Sequence, residues 1–271
     1  MRKYALIGKD VGFSASPAMM NAALAYMGIK AGYYAVNVNE EQFEYKLEQM
    51  LAENDGINVT MPYKSKVIKH LDALDQNSER INAVNTIKVN SKIQGFNTDV
   101  YGIIEPLRIM KMKVKRAILI GTGGTARAFC LAMENQGCEE IVVWDRNLEK
   151  AKSFSTDMAK LFPEILFRTE AYFSHYDLLF NATPMGGKDI GLTGEVERLM
   201  KKVDVVFDAV YYPYDTGFTK KGESLGCSLI RGYEMLLYQG AEALRIWLNQ
   251  EPPIEIMKSA LLKYLTGETK R

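Results

Sequence analysis

Residues 116–128 read RAILIGTGGTARA, and no other stretch of this 271-residue chain narrows its fold so far. An apolar run ends in Gly121-Thr122-Gly123-Gly124-Thr125-Ala126, which fits G-x-G-x-x-[GA], and a helical pattern follows. The glycines permit a tight turn and close approach of backbone to a pyrophosphate, while the start of the helix supplies free N–H donors and positive potential. The next strand-like run, EIVVW, leads into Asp145, 24 residues after Gly121 and near the spacing at which an acidic side chain meets the adenosine ribose. Dinucleotide binding is the expected role, with a glycine-rich turn that holds no ligand as the alternative. Asp145 suits the ribose hydroxyls of NAD and repels the extra phosphate of NADP, whereas Arg146 would welcome that phosphate or stack on the adenine. A plainer reading makes the two residues a solvated turn, with Asn147 capping the following helix.

Apolar runs alternate with helical patterns along the chain, which predicts α/β architecture with parallel sheets. The first third offers strands at Tyr4–Ile7, Tyr33–Val38, Gly56–Val59 and Thr86–Val89, with helices at Pro17–Met27 and Glu40–Leu51 between them. From Arg116 the rhythm tightens into six short strands: Arg116–Ile120, Glu140–Trp144, Ile165–Phe167, Asp177–Asn181, Val203–Ala209 and Cys227–Ile230. Six such repeats are what a Rossmann-type doubly wound parallel sheet requires. The basic segment Lys111–Lys115 marks the change of rhythm, so residues 111–235 are expected to form the nucleotide domain. The helical patterns after Gly232 lie beyond the sixth strand and can return to the first part of the chain. An N-terminal α/β substrate domain of residues 1–110 plus 236–271 follows.

The charge balance excludes one class of function. Lys plus Arg number 34 and Asp plus Glu 33, and neither residues 1–105 (11 basic, 12 acidic) nor the rest (23 and 21) is strongly basic, so no nucleic-acid partner is expected. Cys130, Cys138 and Cys227 form neither a C-x-x-C pair nor a disulfide framework, and with only His70 and His175 beside them no metal site is expected. MRKYALIGKD reads as a first strand rather than a signal segment, and no apolar run approaches the roughly 20 residues that span a membrane. A cytoplasmic protein working on a small molecule, without nucleic-acid or membrane partners, is the expectation.

Four polar clusters stand outside the nucleotide motif. In Ser14-Ala15-Ser16-Pro17, Ser16 reads as N-cap and Pro17 as the first helical residue, and a helix start flanked by two hydroxyls is also a carboxylate receptor. In Asn58-Val59-Thr60-Met61-Pro62-Tyr63-Lys64, Pro62 marks a second helix start. That puts Lys64 in a first turn, where the macrodipole disfavours a cation, so the lysine is either solvated or held there for use. Ala83-Val84-Asn85-Thr86 and Gly95-Phe96-Asn97-Thr98-Asp99 bring two Asn-Thr pairs near strand ends, with Asp99 readable as a mere N-cap for a helix over Val100–Ile109. The last cluster joins Val210-Tyr211-Tyr212-Pro213 to Gly232–Gln239, in which Met235 would ordinarily be core and Gln239 surface.

Together these pieces resemble the shikimate dehydrogenase family of shikimate and quinate dehydrogenases, in order and spacing, over nearly the whole chain. The matching motifs are S-x-S-P-x-x-x-N (Ser14 to Asn21), N-V-T-x-P-x-K (Asn58 to Lys64), A-V-N-T, G-x-N-T-D, G-x-G-G-x-x-R-A, N-A-T-P (Asn181 to Pro184), V-Y-x-P (Val210 to Pro213) and G-x-x-M-L-x-x-Q (Gly232 to Gln239). The resemblance implies reversible hydride transfer between shikimate and 3-dehydroshikimate, with NADP as cofactor and NAD use allowed by Asp145. It implies that Lys64 and Asp99 form the catalytic pair, with Lys64 either a general base or a cation stabilising the developing alkoxide. Ser14 and Ser16 would bind the substrate carboxylate, Tyr211 would close that end, and Thr60, Asn85 and Gln239 would hold the hydroxyls. Gly121–Ala126, Asp145, Arg146, Thr183, Gly232 and Met235 would serve the cofactor, in a monomer or homodimer.

Three stretches depart from the family pattern: Phe13 where a histidine is frequent, Asn82 where a glycine is common, and Asp145-Arg146-Asn147 where NADP-preferring members read Asn-Arg-Thr. A quinate or dual quinate/shikimate dehydrogenase is the alternative. A ligand sensor of the same fold would need neither Lys64 nor Asp99, and a folate-type dehydrogenase would leave Ser-x-Ser and V-Y-x-P unexplained.

Overall fold

The β-branched and aromatic runs form strands and the periodic segments between them form helices. The computed structural model describes residues 1–267 and separates into two units, Met1–Tyr101 together with the stretch beginning at Leu237, and Gly102–Leu236. In the first unit the chain runs β1 (Arg2–Gly8), α1 (Ser16–Tyr26), β2 (Ala31–Asn37), α2 (Phe43–Glu53), β3 (Gly56–Val59), a 3-10 turn over Lys66–His70, β4 (Ala73–Leu74), α3 (Gln76–Ile81), β5 (Thr86–Val89) and β6 (Ile93–Phe96). Its sheet has the order β2-β1-β3-β5-β6-β4. β1 pairs in parallel with β2 and β3, but β5 runs antiparallel to both β3 and β6. The sheet of the first unit is therefore mixed, with β5 as its antiparallel strand. Three residues join β5 to β6, far fewer than a parallel crossover needs. They close a hairpin in which the Asn90 side chain accepts from Lys92 N at 2.9 Å.

The core beneath this sheet gathers Ile7, Phe43, Leu47, Ile57, Tyr63, Val84 and Ile87. Phe43 stacks on Tyr63 with ring centres 4.1 Å apart, which joins α2 to the loop after β3. Asn82 closes α3 with φ +51°, a left-handed conformation that favours glycine and tolerates asparagine. That backbone requirement accounts for asparagine standing where the family often has glycine.

Helix α4 (Asp99–Ile109) leads into the second unit: β7 (Arg116–Ile120), α5 (Gly124–Asn135), β8 (Glu140–Trp144), α6 (Leu148–Leu161), β9 (Leu166–Arg168), β10 (Tyr176–Asn181), α7 (Gly194–Met200), β11 (Val203–Asp208), α8 (Gly217–Ser224) and β12 (Ser228–Ile230). All six strands are parallel in the order β12-β11-β10-β7-β8-β9. This is the doubly wound order, with its reversal between β7 and β10, where ligands of such sheets bind beyond the carboxyl ends of the strands.

The chain ends in α9 (Gly232–Leu248) and α10 (Ile254–Thr266). The boundaries between units fall inside helices, at Tyr101/Gly102 in α4 and Leu236/Leu237 in α9. Within the first unit, Trp247 of α9 stacks on Tyr4 of β1 at 4.8 Å and donates its indole N–H to the Ile87 carbonyl at 2.9 Å. A side chain at Gly56 would collide with that indole, since a Cβ there would lie 2.4 Å from Nε1. α10 packs along α1. Among the described residues no helix is long and apolar enough to cross a membrane, and no cluster of three His, Cys, Asp or Glu side chains could hold a metal ion.

Candidate active site

In the first unit the loop after β3 carries Lys64. Thr60 N donates to the Ile7 carbonyl and Tyr63 N to the Thr60 carbonyl, both at 3.0 Å, while the buried Tyr63 hydroxyl donates to Val38 O at 2.7 Å. These contacts hold residues 60–63 as a turn, with a cis peptide at Met61-Pro62. The helix expected from Pro62 is therefore absent. The first helical residue is Lys66, and Lys64 is in no helical turn. The macrodipole argument does not apply to it. Its carbonyl accepts from Val84 N at 2.8 Å, and its ammonium donates to the Asp99 carboxylate.

Asp99 opens α4, yet its carboxylate is not spent on capping its own helix. Lys64 holds Oδ2 and Asn85 Nδ2 donates to Oδ1 at 2.7 Å, while the Asn97 side chain accepts the Asp99 N–H at 3.1 Å. The N-cap reading of Asp99 thus gives way to an ion pair with side chains only 15% (Lys64) and 6% (Asp99) exposed. Polar groups that little exposed need good partners. Asn85 is the hub around them. Its Oδ1 accepts from Thr98 N at 2.7 Å and the Thr86 hydroxyl at 3.0 Å, and its Nδ2 reaches Gln239 Oε1 at 3.4 Å. Behind it, Asn58 donates to the Thr86 hydroxyl at 2.9 Å and accepts from the Tyr33 hydroxyl at 2.8 Å. Sequence reasoning misses Asn58, Thr86 and Thr98 as site residues, although each belongs to one of the Asn-Thr or N-V-T motifs.

The two serines are arranged differently from expectation. Ala15, not Ser16, occupies the N-cap of α1, and no side chain caps that helix. Ser14 Oγ accepts the Ser16 N–H at 3.2 Å, a local turn that moves the helix start one residue earlier. The Ser16 and Thr60 hydroxyls carry no hydrogen bond among the described residues, so both are available to a ligand. Asn21, the last residue of the first motif, clamps both backbone groups of Tyr33 at 2.8 Å and so fastens α1 to β2.

In the second unit the glycine-rich turn leaves β7 at Gly121, whose φ of +100° and whose closeness to Thr183 both exclude a side chain. Gly123 is the N-cap of α5 with no side chain capping it, and a Cβ there would meet nothing. Open space before uncapped N–H donors is what a pyrophosphate needs. The Thr122 hydroxyl donates to Asp145 Oδ2 and Asn147 N donates to Oδ1, both at 3.0 Å. Arg146 is exposed and makes no ion pair among the described residues, and Asn147 caps α6 through Lys150 N. Thr183 gives its hydroxyl to Asn181 and takes Met185 N, which leaves its methyl against the Gly121 turn. Met235 is buried, Tyr211 is half-buried on the loop after β11, and a Cβ at Gly232 would fall 2.4 Å from the Val210 carbonyl.

A shikimate dehydrogenase (NADP(+)) of Methanococcus maripaludis is 37% identical over 94% of this chain and 95% of its own length. The chain belongs to the shikimate dehydrogenase family. A second enzyme of that name, from Methanocaldococcus jannaschii, is 36% identical over 96% of each chain. Three family models match: shikimate dehydrogenase substrate binding domain over residues 6–87, shikimate / quinate 5-dehydrogenase over 106–210, and shikimate 5'-dehydrogenase C-terminal domain over 232–262. The crystal structure of shikimate 5-dehydrogenase from Thermus thermophilus in complex with NADP(H) and shikimate superposes with a TM-score of 0.85 at 30% identity, covering 98% of this chain and all of that one. A quinate dehydrogenase from Corynebacterium glutamicum in complex with NAD gives the same TM-score at 26% identity, covering 97% and 99%. Within the shikimate dehydrogenase family, then, both shikimate- and quinate-named structures share this fold.

Proposed function

We propose that the protein is an NADP-dependent shikimate dehydrogenase that interconverts shikimate and 3-dehydroshikimate. The observation that carries the reading is the nearly buried Lys64–Asp99 pair, tied through Asn85 to Gln239. When bound, the dinucleotide accepts or returns the hydride. The Gly121–Ala126 turn and the start of α5 would hold its pyrophosphate, Arg146 its 2′-phosphate, and Thr183, Gly232 and Met235 its nicotinamide half.

The protein's own task is to position the ring and handle one proton. In oxidation the neutral Lys64 amine takes that proton from the ring hydroxyl as the carbonyl forms, becoming the ammonium that Asp99 holds, and in reduction this ammonium gives the proton back. Asn85, Gln239 and Thr60 hold the remaining hydroxyls, and Ser14 and Ser16 take the carboxylate. Substitution Ser16→Ala is expected to raise KM for shikimate about 10-fold, the loss of one hydrogen bond to a charged group, with kcat changed far less. A fall in kcat with KM unchanged would remove Ser16 from the carboxylate site.

NADP fits because the Asp145 carboxylate is already engaged by Thr122 and Asn147 while Arg146 makes no ion pair among the described residues. Asp145 still places negative charge near the ribose. Asp145→Asn should therefore raise the NADP:NAD ratio of kcat/KM by roughly 10-fold, about 1.4 kcal/mol. A ratio within twofold of the parent would show that Asp145 plays no part in the choice.

Quinate is the second substrate to test, since quinate-named relatives share the fold. Reduced-nicotinamide absorbance with shikimate or quinate, each paired with NADP or NAD, decides both matters. Shikimate with NADP should be the fastest pairing. Silence in all four would overturn the dehydrogenase reading. A reducing, cytoplasmic setting suits the three free cysteines.

A further inference from the structure

We propose that Asp208 and Asn181 form a buried strut that fixes the two loops serving the nicotinamide half of the dinucleotide. The inference rests on the nucleotide-binding reading above. Both residues end adjacent parallel strands, β10 and β11, where they pair in register, and both are fully buried. A doubly wound sheet binds its two mononucleotide halves on either side of the reversal, so the carboxyl ends of β10 and β11 face the half opposite the β7–β8 turn that serves adenosine.

The strut reaches into each loop. Asn181 Nδ2 donates to Asp208 Oδ1 at 2.8 Å and to the Met185 carbonyl at 2.9 Å, while its Oδ1 accepts from Thr183 N at 3.1 Å and the Thr183 hydroxyl at 2.7 Å. Asp208 Oδ1 also accepts from Val210 N at 3.0 Å, and Oδ2 accepts from the Thr216 hydroxyl at 2.6 Å. Thr216 in turn accepts from Thr219 N and caps α8. One carboxylate thus joins the Asn181–Met185 loop to the Val210–Thr216 loop that bears Tyr211. Every partner of Asp208 among the described residues is neutral, so the carboxylate completes no ion pair there.

A carboxylate fully buried without a counter-charge is expensive. What the carboxylate adds is acceptor capacity: it takes three donors from two loops at once. Asp208 is accordingly a positioning residue. Its effect should be confined to ligands that contact those loops.

The test measures binding of NADP and of 2′,5′-ADP, which lacks the nicotinamide half, to the full-length protein, alongside kcat and KM. Asp208→Ala should weaken NADP at least 10-fold and leave 2′,5′-ADP within twofold. Asp208→Asn should restore NADP to within about threefold, because an amide oxygen can still accept from Asn181 and Val210. Thr216→Val, which keeps the carboxylate and removes one tether, serves if the alanine variant fails to fold, and should show the same selectivity at smaller size. Equal losses for both ligands, or none, would overturn the strut. Wild-type protein that binds neither ligand would overturn the nucleotide reading and this inference with it.

Discussion

Replacing Lys64 with Met, or Asp99 with Asn, should lower kcat at least ~10²-fold, about 2.7 kcal/mol of transition-state stabilisation, with a smaller change in KM. The two side chains are nearly buried and bonded to each other, so each variant removes a proton-handling group without opening the site to solvent in a new way. Methionine preserves the stem of the lysine. The amide introduced by Asp99→Asn would still meet Asn85, although the charge pairing with Lys64 is lost. Removing one member of a buried pair can also cost several kcal/mol of stability, so the folded fraction at assay temperature must be measured beside kcat. The double variant should be little worse than the poorer single, as expected of groups that act as a unit. Near-normal turnover in either single variant would sink the assignment.

The sequence misplaces Lys64 for a physical reason. Proline before a lysine-rich run is a local signature of a helix start, and propensity alone has nothing to oppose it. What opposes it is tertiary: the Tyr63 side chain is drawn into the core against Phe43 and hydrogen-bonded to Val38, which holds the segment in a turn. The antiparallel hairpin is hidden for a related reason. β6 reads IQGF, too short and too mixed to show a period, and Gly95 lies where Leu71, Val84 and Leu74 leave no room for a side chain. By contrast the β7 turn is legible because its constraints are local: a positive φ at Gly121 and an uncapped helix after Gly123 each demand a residue type. The four central strands of the second unit, β7, β8, β10 and β11, are legible because buried parallel strands read as continuous apolar runs. Asp208 leaves no such trace. At a strand end before Ala-Val-Tyr-Tyr-Pro it looks like an ordinary solvated turn residue, and its partner Asn181 lies 27 positions away.

Burial without a counter-charge also makes Asp208 a source of pH-dependent stability. Loss of hydration pushes its carboxyl up to about 6 from an ordinary 3.8, against the opposing hydrogen bonds from Thr216, Val210 and Asn181. The folded state then binds the proton more tightly than the unfolded chain, so this group's contribution to stability falls as pH rises between those two values and is constant above them. A difference of about two pH units corresponds to about 3 kcal/mol. Many other carboxylates titrate over the same range, and the contribution is isolated by subtraction. The unfolding free energy of the parent minus that of Asp208→Asn, whose amide does not titrate, should be most favourable to the parent near pH 4 and decline by up to about 3 kcal/mol by about pH 7. Denaturant unfolding at a series of pH values measures it. A flat difference would mean that Asp208 is hydrated in the folded protein, and a difference rising with pH would mean that its hydrogen bonds outweigh its burial.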